Sequence, residues 1–271
     1  MKPYHETAHG VLYHGDCLSV MAEMADKSVD LTVTSPPYDN LRDYNGYSFD
    51  FEGISKELFR ITKQGGVVVW VVGDATVNGS ETGTSFKQAL HFKEIGFNLH
   101  DTMIYEKDAI SFPDKNRYQS MFEYMFILSK GMPSTFNPIT VKTQYHSDNK
   151  IVTDRGKNGF TKAKLVTCES KERIKGNVWR FMVGYMKSAK QPFVFDHPAI
   201  FPEQLAADHI KSWSNEGDTV FDCFMGSGTV AKMAIKANRK YIGAEISAEY
   251  CEIAAKRITS ELDQTDIFRE E

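Results

Sequence analysis

The sequence predicts an α/β fold built on a mostly parallel, doubly wound sheet. Three observations carry that expectation. Short apolar runs rich in β-branched residues alternate with amphipathic stretches of helical period. A glycine loop joins one such run to a helix, and an acid ends the apolar run that follows it. The 271 residues, 41% of them hydrophobic, suffice for one large domain or a core domain with a sizeable insertion.

Taken in order, Leu18–Ala25 reads as a short helix and Val29–Val33 as a strand that stops at a double proline. Gly53–Thr62 has amphipathic helical spacing. Val67–Val72 is a β-branched run suited to a buried parallel strand. Ser85–Ile95 reads as a helix with Gly96 at its C-terminal end. Ile104–Glu106 and Tyr124–Leu128 are further strands. From about Gly131 to Arg180 the pattern breaks into polar, basic sequence without amphipathic period, which reads as an inserted region within a single domain spanning 1–271. Regular structure returns with a helix at Phe201–Ser212, a strand at Val220–Phe221, a helix at Thr229–Ala237, a strand at Tyr241–Glu245 and a long helix at Ala248–Ser260. There is no internal repeat.

Charge is unevenly spread. The whole chain carries −4. Residues 141–190 hold twelve basic side chains against four acidic ones, a local excess of eight positive charges, leaving about −12 elsewhere. Such a segment neutralises phosphates while the acidic remainder is repelled by them. Lys142, Arg155, Lys157, Lys162, Lys164, Arg173 and Lys175 are the candidate contacts to a polyanion. No apolar run approaches the ~20 residues of a membrane span. The N-terminus Met1-Lys2-Pro3-Tyr4-His5 lacks the apolar core of a signal peptide, so a cytoplasmic protein is expected. Cys17, Cys168, Cys223 and Cys251 form no C-x-x-C pair, so no metal site is expected.

Phe221-Asp222-Cys223-Phe224-Met225-Gly226-Ser227-Gly228-Thr229 lies between a strand and a helix. Its glycines permit a tight turn and close backbone approach by a ligand. The helix start offers unpaired N–H groups to a carboxylate. Glu245, at the end of the next strand, is placed to accept hydrogen bonds from ribose hydroxyls. The loop lacks the G-K-[ST] ending of a Walker loop and the third glycine of the dinucleotide fingerprint. It supports adenosine-type binding and leaves the cofactor's identity open.

Ser35-Pro36-Pro37-Tyr38 directly follows the strand Val29–Val33 and so belongs at the carboxyl edge of the sheet, where open α/β folds place ligands. Two prolines fix the backbone and remove two N–H donors. What remains is a stiff loop of acceptors, the Ser35 hydroxyl and the carbonyls of Ser35 and Pro36, beside the flat ring of Tyr38. An exocyclic amino group donates two hydrogens. Two preplaced acceptors hold it and aim its lone pair at an electrophile, while the ring stacks on a base turned out of its helix.

With these residues on the page, the sequence resembles the amino-methylating DNA methyltransferases of the permuted beta group. Their S/D/N-P-P-Y loop comes early, a recognition region follows, and an F-x-G-x-G loop comes last. The resemblance runs from about Leu12 to Ile258. It implies a Rossmann-like methyltransferase fold in circularly permuted order, S-adenosylmethionine as cofactor, and double-stranded DNA as substrate. Tyr13-His14-Gly15-Asp16-Cys17-Leu18 is similar to the family's early G-D segment, which implies that Asp16 lies near the cofactor adenine. His197-Pro198-Ala199 with Phe201, Pro202, Glu203 and Leu205 is similar to the stretch that helps bind the methionine moiety. Asp222, Phe224, Gly226, Gly228, Thr229 and Glu245 complete the implied cofactor set, although Cys223 stands where many members have proline. Tyr124-Met125-Phe126-Ile127-Leu128-Ser129-Lys130 is similar to the family's E-Y-x-x-x-x-S-K strand, and Asn177-Val178-Trp179 to the motif closing the recognition region.

In this family S-P-P-Y is typical of cytosine-N4 enzymes, so Ser35 places N4 of cytosine ahead of N6 of adenine as the expected target. Cytosine-C5 methylation needs a nucleophilic cysteine, usually in a P-C dipeptide, and the chain has none. An RNA or protein amino-methyltransferase, a nicotinamide oxidoreductase and a non-catalytic nucleic-acid binder are the rival classes. The unexplained S-P-P-Y opposes the oxidoreductase, and the intact site residues oppose the non-catalytic binder. A cognate restriction endonuclease and a homodimer are the further partners the resemblance allows.

Overall fold

Helices cover both faces of the central sheet, and that explains why its interior strands are largely buried on both sides. The computed structural model describes residues 1–37, 49–108, 116–143, 150–156, 159–166, 171–196, 200 and 202–267. Tyr38, Lys157, Phe201 and the His197-Pro198-Ala199 stretch lie outside the described residues. The chain divides into two units, Met1–Asn137 with Asn177–Glu271, and Pro138–Gly176.

The first unit opens with β1 (His5–Thr7) and β2 (Gly10–His14), then α1 (Cys17–Glu23) and β3 (Val29–Thr34). Next come α2 (Phe51–Ile61), β4 (Thr62–Val72), a small hairpin of β5 (Thr76–Val77) and β6 (Ser80–Glu81), and α3 (Thr84–Glu94). They are followed by β7 (Asn98–Lys107) and β8 (Phe122–Ser129). The second unit holds β9 (Thr140–Lys142), β10 (Lys150–Arg155), β11 (Thr161–Val166) and β12 (Glu172–Ile174). The chain then returns to the first unit with β13 (Val178–Phe181), a 3-10 turn at Pro192–Asp196, α4 (Glu203–Trp213) and β14 (Thr219–Asp222). It ends with α5 (Thr229–Lys236), β15 (Lys240–Glu245) and α6 (Ala248–Ile267).

Nine strands form one sheet in the order β1-β2-β15-β14-β3-β4-β8-β7-β13. β2, β15, β14, β3 and β4 run parallel to one another. β8 is antiparallel to both β4 and β7. The run Val67–Val72 is therefore a parallel partner on one flank only. Gly65–Val72 is buried without a break, as expected of a strand covered on both faces.

On one face lie α1, α2 and α3. α2 starts at Asp50, whose carboxylate accepts the Gly53 N–H at 3.0 Å, and buries Ile54, Leu58 and Ile61 at helical spacing. These pack with Val20, Met21, Val68, Trp70, Phe92 and Phe126 into one apolar cluster. The Trp70 indole N–H donates to Gln88 Oε1 at 2.8 Å, so the largest core side chain leaves no buried donor unpaired. Lys130 donates to the carbonyls of Phe59 and Thr62 at the end of α2, which gives the lysine that follows β8 a structural task. On the other face α4 packs on α5, and α5 on α6.

This arrangement creates one special place. From β14 the chain crosses through α5 to β15, and from β3 it crosses through α2 to β4 on the opposite side. β14 and β3 are parallel neighbours, so the crevice at their carboxyl ends is the topological switch point of the sheet.

The second unit carries more regular structure than its sequence suggests. β10 pairs antiparallel with β11 from Lys150↔Val166 to Arg155↔Thr161. β9 pairs with β12 from Lys142↔Glu172 to Thr140↔Ile174. Two-stranded ribbons exposed on both faces need no alternation of polar and apolar residues, so no period announced them. Gly131–Asn137 and Asn177–Arg180 belong to the first unit, where Trp179 and Phe181 of β13 are buried. Among the described residues no helix is long and apolar enough to cross a membrane.

Candidate active site

Four neighbouring strands deliver candidate residues to the same edge. In sheet order, Asp16 follows β2, Glu245 ends β15, Asp222–Thr229 follows from β14, and Ser35-Pro36-Pro37 follows β3. At the spacing of sheet neighbours, Asp16 and Ser35 are separated by roughly 14 Å across the strands. Residues far apart in the chain thus line one edge because parallel strands all end there.

The glycine loop holds its shape through its own backbone and two buried carboxylates. Gly226 and Gly228 have φ of 49° and 77°, the left-handed region that favours glycine. A Cβ on Gly228 would stand 3.1 Å from both Cα and Cβ of Ala254, so α6 also requires glycine there. Glu245 accepts the Gly226 N–H through Oε2 and the Ser247 N–H through Oε1, both at 2.8 Å. Asp222 Oδ1 accepts the Phe224 N–H at 3.0 Å and the Thr34 hydroxyl at 2.7 Å. The Phe224 ring packs against Phe49 and Trp70. Gly228 is the N-cap of α5 and supplies no side chain, so the first N–H groups of that helix are left to a ligand.

Burial pushes the Asp222 carboxyl up to about 7, against the lowering effect of its bonds from Thr34 and Phe224. Burial also raises Glu245, against the backbone N–H groups of Ser247 and Gly226. Buried acids of this kind favour a cationic or hydroxyl-rich ligand that offsets the cost of their burial.

Asp16 is the N-cap of α1, accepting from Leu18 N–H at 3.0 Å and Ser19 N–H at 3.3 Å through the same oxygen, Oδ1. Its exposed carboxylate keeps Oδ2 for other partners. Ser35 and Pro37 are half-buried and Pro36 is buried. Pro202 is the N-cap of α4.

Glu203 has a partner that sequence reasoning missed. Its Oε1 accepts from Lys232 Nζ and Arg257 Nη2, each at 2.7 Å. Arg257 is fully buried and also donates to the Ser227 carbonyl and hydroxyl at 3.1 Å, the Thr229 hydroxyl at 2.9 Å and Gln191 Oε1 at 3.2 Å. Burial raises the Glu203 carboxyl, but the bonds from Lys232 and Arg257 outweigh it and hold it below the usual carboxylate range. The Thr229 and Ser227 side chains are therefore committed to Arg257, which leaves the backbone N–H of Thr229 as the group it can offer a ligand. No local motif announces Arg257. On a long amphipathic helix an arginine reads as surface, and only the absence of exposure identifies it.

The candidate phosphate contacts Lys142, Arg155, Lys162, Lys164, Arg173 and Lys175 belong to the second unit. Lys142, Arg155, Lys162, Lys164 and Arg173 are exposed there and Lys175 is half-buried. Lys162 and Lys164 point to one face of the β10–β11 ribbon. Among the described residues no cluster of three or more His, Cys, Asp or Glu could hold a metal.

Comparison with known proteins bears on this site. A family model described as DNA methylase, covering N6 and N4 methylases, matches residues 29–256. Orphan methyltransferase M.BamHII of Bacillus amyloliquefaciens is 60% identical over 242 residues, 87% of this chain and 90% of the relative. The solved structure of PvuII DNA methyltransferase, described as cytosine-N4-specific, superposes with a TM-score of 0.69 at 23% identity, covering 99% of this chain and 94% of that one. A putative DNA modification methylase of Thermus thermophilus, solved with S-adenosyl-L-methionine, superposes with a TM-score of 0.62 at 24% identity, covering 94% and 96%.

The raised acids have a measurable consequence. Asp222 binds a proton more tightly folded than unfolded, so between about pH 4 and 7 the folded chain holds a proton that the unfolded chain releases. The Asp222 contribution to stability is therefore fully present below that window and is lost as pH rises through it. Glu245 acts in the same direction. Asp222→Asn, which keeps the Oδ acceptor and removes the charge, is expected to melt progressively higher than the native chain from pH 5 to pH 8. Each kcal/mol corresponds to about 2–4 °C in a chain this size. Ligand-free melting curves that stay parallel across that range would contradict the burial of an ionisable Asp222.

Proposed function

The chain belongs to the N6/N4 DNA methylase family, and from that premise we propose that it transfers a methyl group from S-adenosylmethionine to N4 of cytosine in double-stranded DNA, with the base turned out of the helix. One observation supports this reading above the rest: the Ser-Pro-Pro loop and the glycine loop leave adjacent parallel strands at the switch point and are joined there by the Thr34–Asp222 bond.

The residues fit the cofactor. The uncapped N–H groups of α5 suit its carboxylate. Glu245 keeps lone pairs for ribose hydroxyls, and the Asp16 carboxylate stands one strand beyond, toward the adenine. Glu203 and Arg257 act from beneath by fixing the loop. Bound there, S-adenosylmethionine supplies a methyl group made electrophilic by its sulfonium charge.

The chain's own part is positioning. The Ser35 hydroxyl and the Pro36 carbonyl accept the two hydrogens of the amino group and turn its lone pair toward the cofactor loop. Those acceptors strengthen as the nitrogen gains positive charge, which stabilises the transition state more than the bound base. Tyr38 stacks on the base. No covalent bond to the protein forms, in keeping with the burial of Cys17, Cys223 and Cys251 and their raised thiol pKa values.

Recognition belongs to the second unit, whose segment carries nine basic and four acidic side chains. Its lysines and arginines neutralise phosphates, and its two ribbons are of a size that enters the major groove. The relative named an orphan methyltransferase favours action without a paired endonuclease.

Mass spectrometry of nucleosides from cells expressing the chain tests the reading, with N4-methylcytosine the expected product. N6-methyladenine would keep the family and overturn the base, and neither base would overturn the activity. Tyr38→Ala is expected to lower methylation at least a hundredfold while S-adenosylmethionine still binds by calorimetry. Equal loss of both would remove Tyr38 from base stacking. Reversing Lys162 and Lys164 to Glu together is expected to flatten the plot of log affinity against log salt by roughly 0.9 per lost phosphate contact, or about two units. An unchanged slope would remove the ribbon from the DNA contact.

A further inference from the structure

We infer that Thr34 is a positioning residue for methyl transfer, its hydroxyl fastening the base-holding loop after β3 to the cofactor loop after β14. The inference rests on the proposed function and adds to it a residue that touches neither ligand.

The sheet creates the need for such a fastener. The backbone pairing of β3 with β14 runs through Leu31↔Val220 and Thr32↔Phe221. Among the described residues that ladder has no further pair, and after Thr34 and Asp222 the two chains leave for opposite sides of the sheet. A ligand crevice at a switch point exists because the strands part there. At that parting a side-chain bond can set the distance between the two loops.

Thr34 lies just past the last of those pairs. It is fully buried, and its Oγ1 donates to Asp222 Oδ1 at 2.7 Å, with Cys223 Sγ 3.5 Å away. Asp222 Oδ1 also takes the Phe224 N–H. One oxygen therefore joins the residue before Ser35 to the turn that leads to Gly226. Asp222 is 1% exposed, and a hydrogen bond to a carboxylate in such a place is stiffer and stronger than one at the surface. The bond therefore sets where the residue before Ser35 stands relative to the turn that leads to Gly226.

Side-chain shape permits a clean test. Thr34→Val keeps the volume and branching and removes only the hydroxyl, and Thr34→Ser keeps the hydroxyl and removes the methyl. Thr34→Ala is the fallback where Thr34→Val fails to fold. On the purified full chain, tritium transfer from S-adenosylmethionine to unmethylated plasmid DNA would be measured at saturating cofactor, with cofactor affinity by calorimetry. Thr34→Val is expected to lower the transfer rate at least tenfold while changing cofactor Kd by less than about threefold, and Thr34→Ser is expected to restore most of the rate. A native rate in Thr34→Val, or a Thr34→Ser as slow as Thr34→Val, would overturn the inference. So would a rate loss matched by an equal loss of cofactor affinity.

A native chain that binds the cofactor and methylates no DNA would sink the proposed substrate. The fastening would then be judged by amide exchange of residues 33–38, which is expected to be faster in Thr34→Val than in the native chain and in Thr34→Ser, and equal exchange in all three would overturn the fastening. A native chain that does not bind the cofactor overturns both.

Discussion

The parallel pairing of β3 with β14 is the constraint on which the site depends. Each strand sends its crossover helix to a different side, α2 toward β4 and α5 toward β15. No helix can close over the place where they part, so a crevice is built into the topology. Among the described residues, candidate groups from four strands meet at that edge because parallel strands end on a common side. Asp16, Glu245, Asp222 and Ser35 come from strands scattered between residues 10 and 245, yet they follow one another across four adjacent strands.

A crevice held open at its floor needs support from the sides. Beneath the glycine loop that support is ionic. Glu203, Lys232, Arg257 and Glu261 place two cations and two carboxylates in or near the interior, with Arg257 fully buried. Desolvating such groups costs several kcal/mol each, repaid only where geometry and hydrogen bonding are complete. Arg257 meets that condition by donating to Gln191, Ser227, Thr229 and Glu203. An apolar replacement could match its packing but could not hold the Ser227 carbonyl in place. The guanidinium also sets positive charge below the start of α5, where the helix already favours an anion. Above the loop, Thr34 and Asp222 do the corresponding work toward β3.

Much of this was legible in the sequence, and the exceptions have physical causes. Val67–Val72 announced itself by β-branching, and the glycine loop by Gly226 and Gly228, whose left-handed backbone few other residues adopt. Ser35-Pro36-Pro37 could be placed at the carboxyl edge because a proline pair ends a strand. The strand order and the antiparallel insertion of β8 beside β4 were not legible, since pairing partners far apart in the chain leave no local period. The ribbons of the second unit escaped because exposed two-stranded pairs bury little and so impose no alternation. Arg257, and the bond by which Thr34 reaches Asp222, escaped for a related reason. A threonine ending a strand and an arginine on a helix are ordinary residues in their own segments, and their roles arise only from what the fold brings opposite them.

A crystal structure of the full chain with sinefungin, a stable analogue of the methyl donor, tests the central claim most directly. The account predicts the analogue across the carboxyl ends of β2, β15 and β14, its ribose hydroxyls on Glu245, its carboxylate at the start of α5, and its amine opening onto Ser35–Pro37. An analogue bound anywhere else, or one whose amine faces away from the loop after β3, would contradict it.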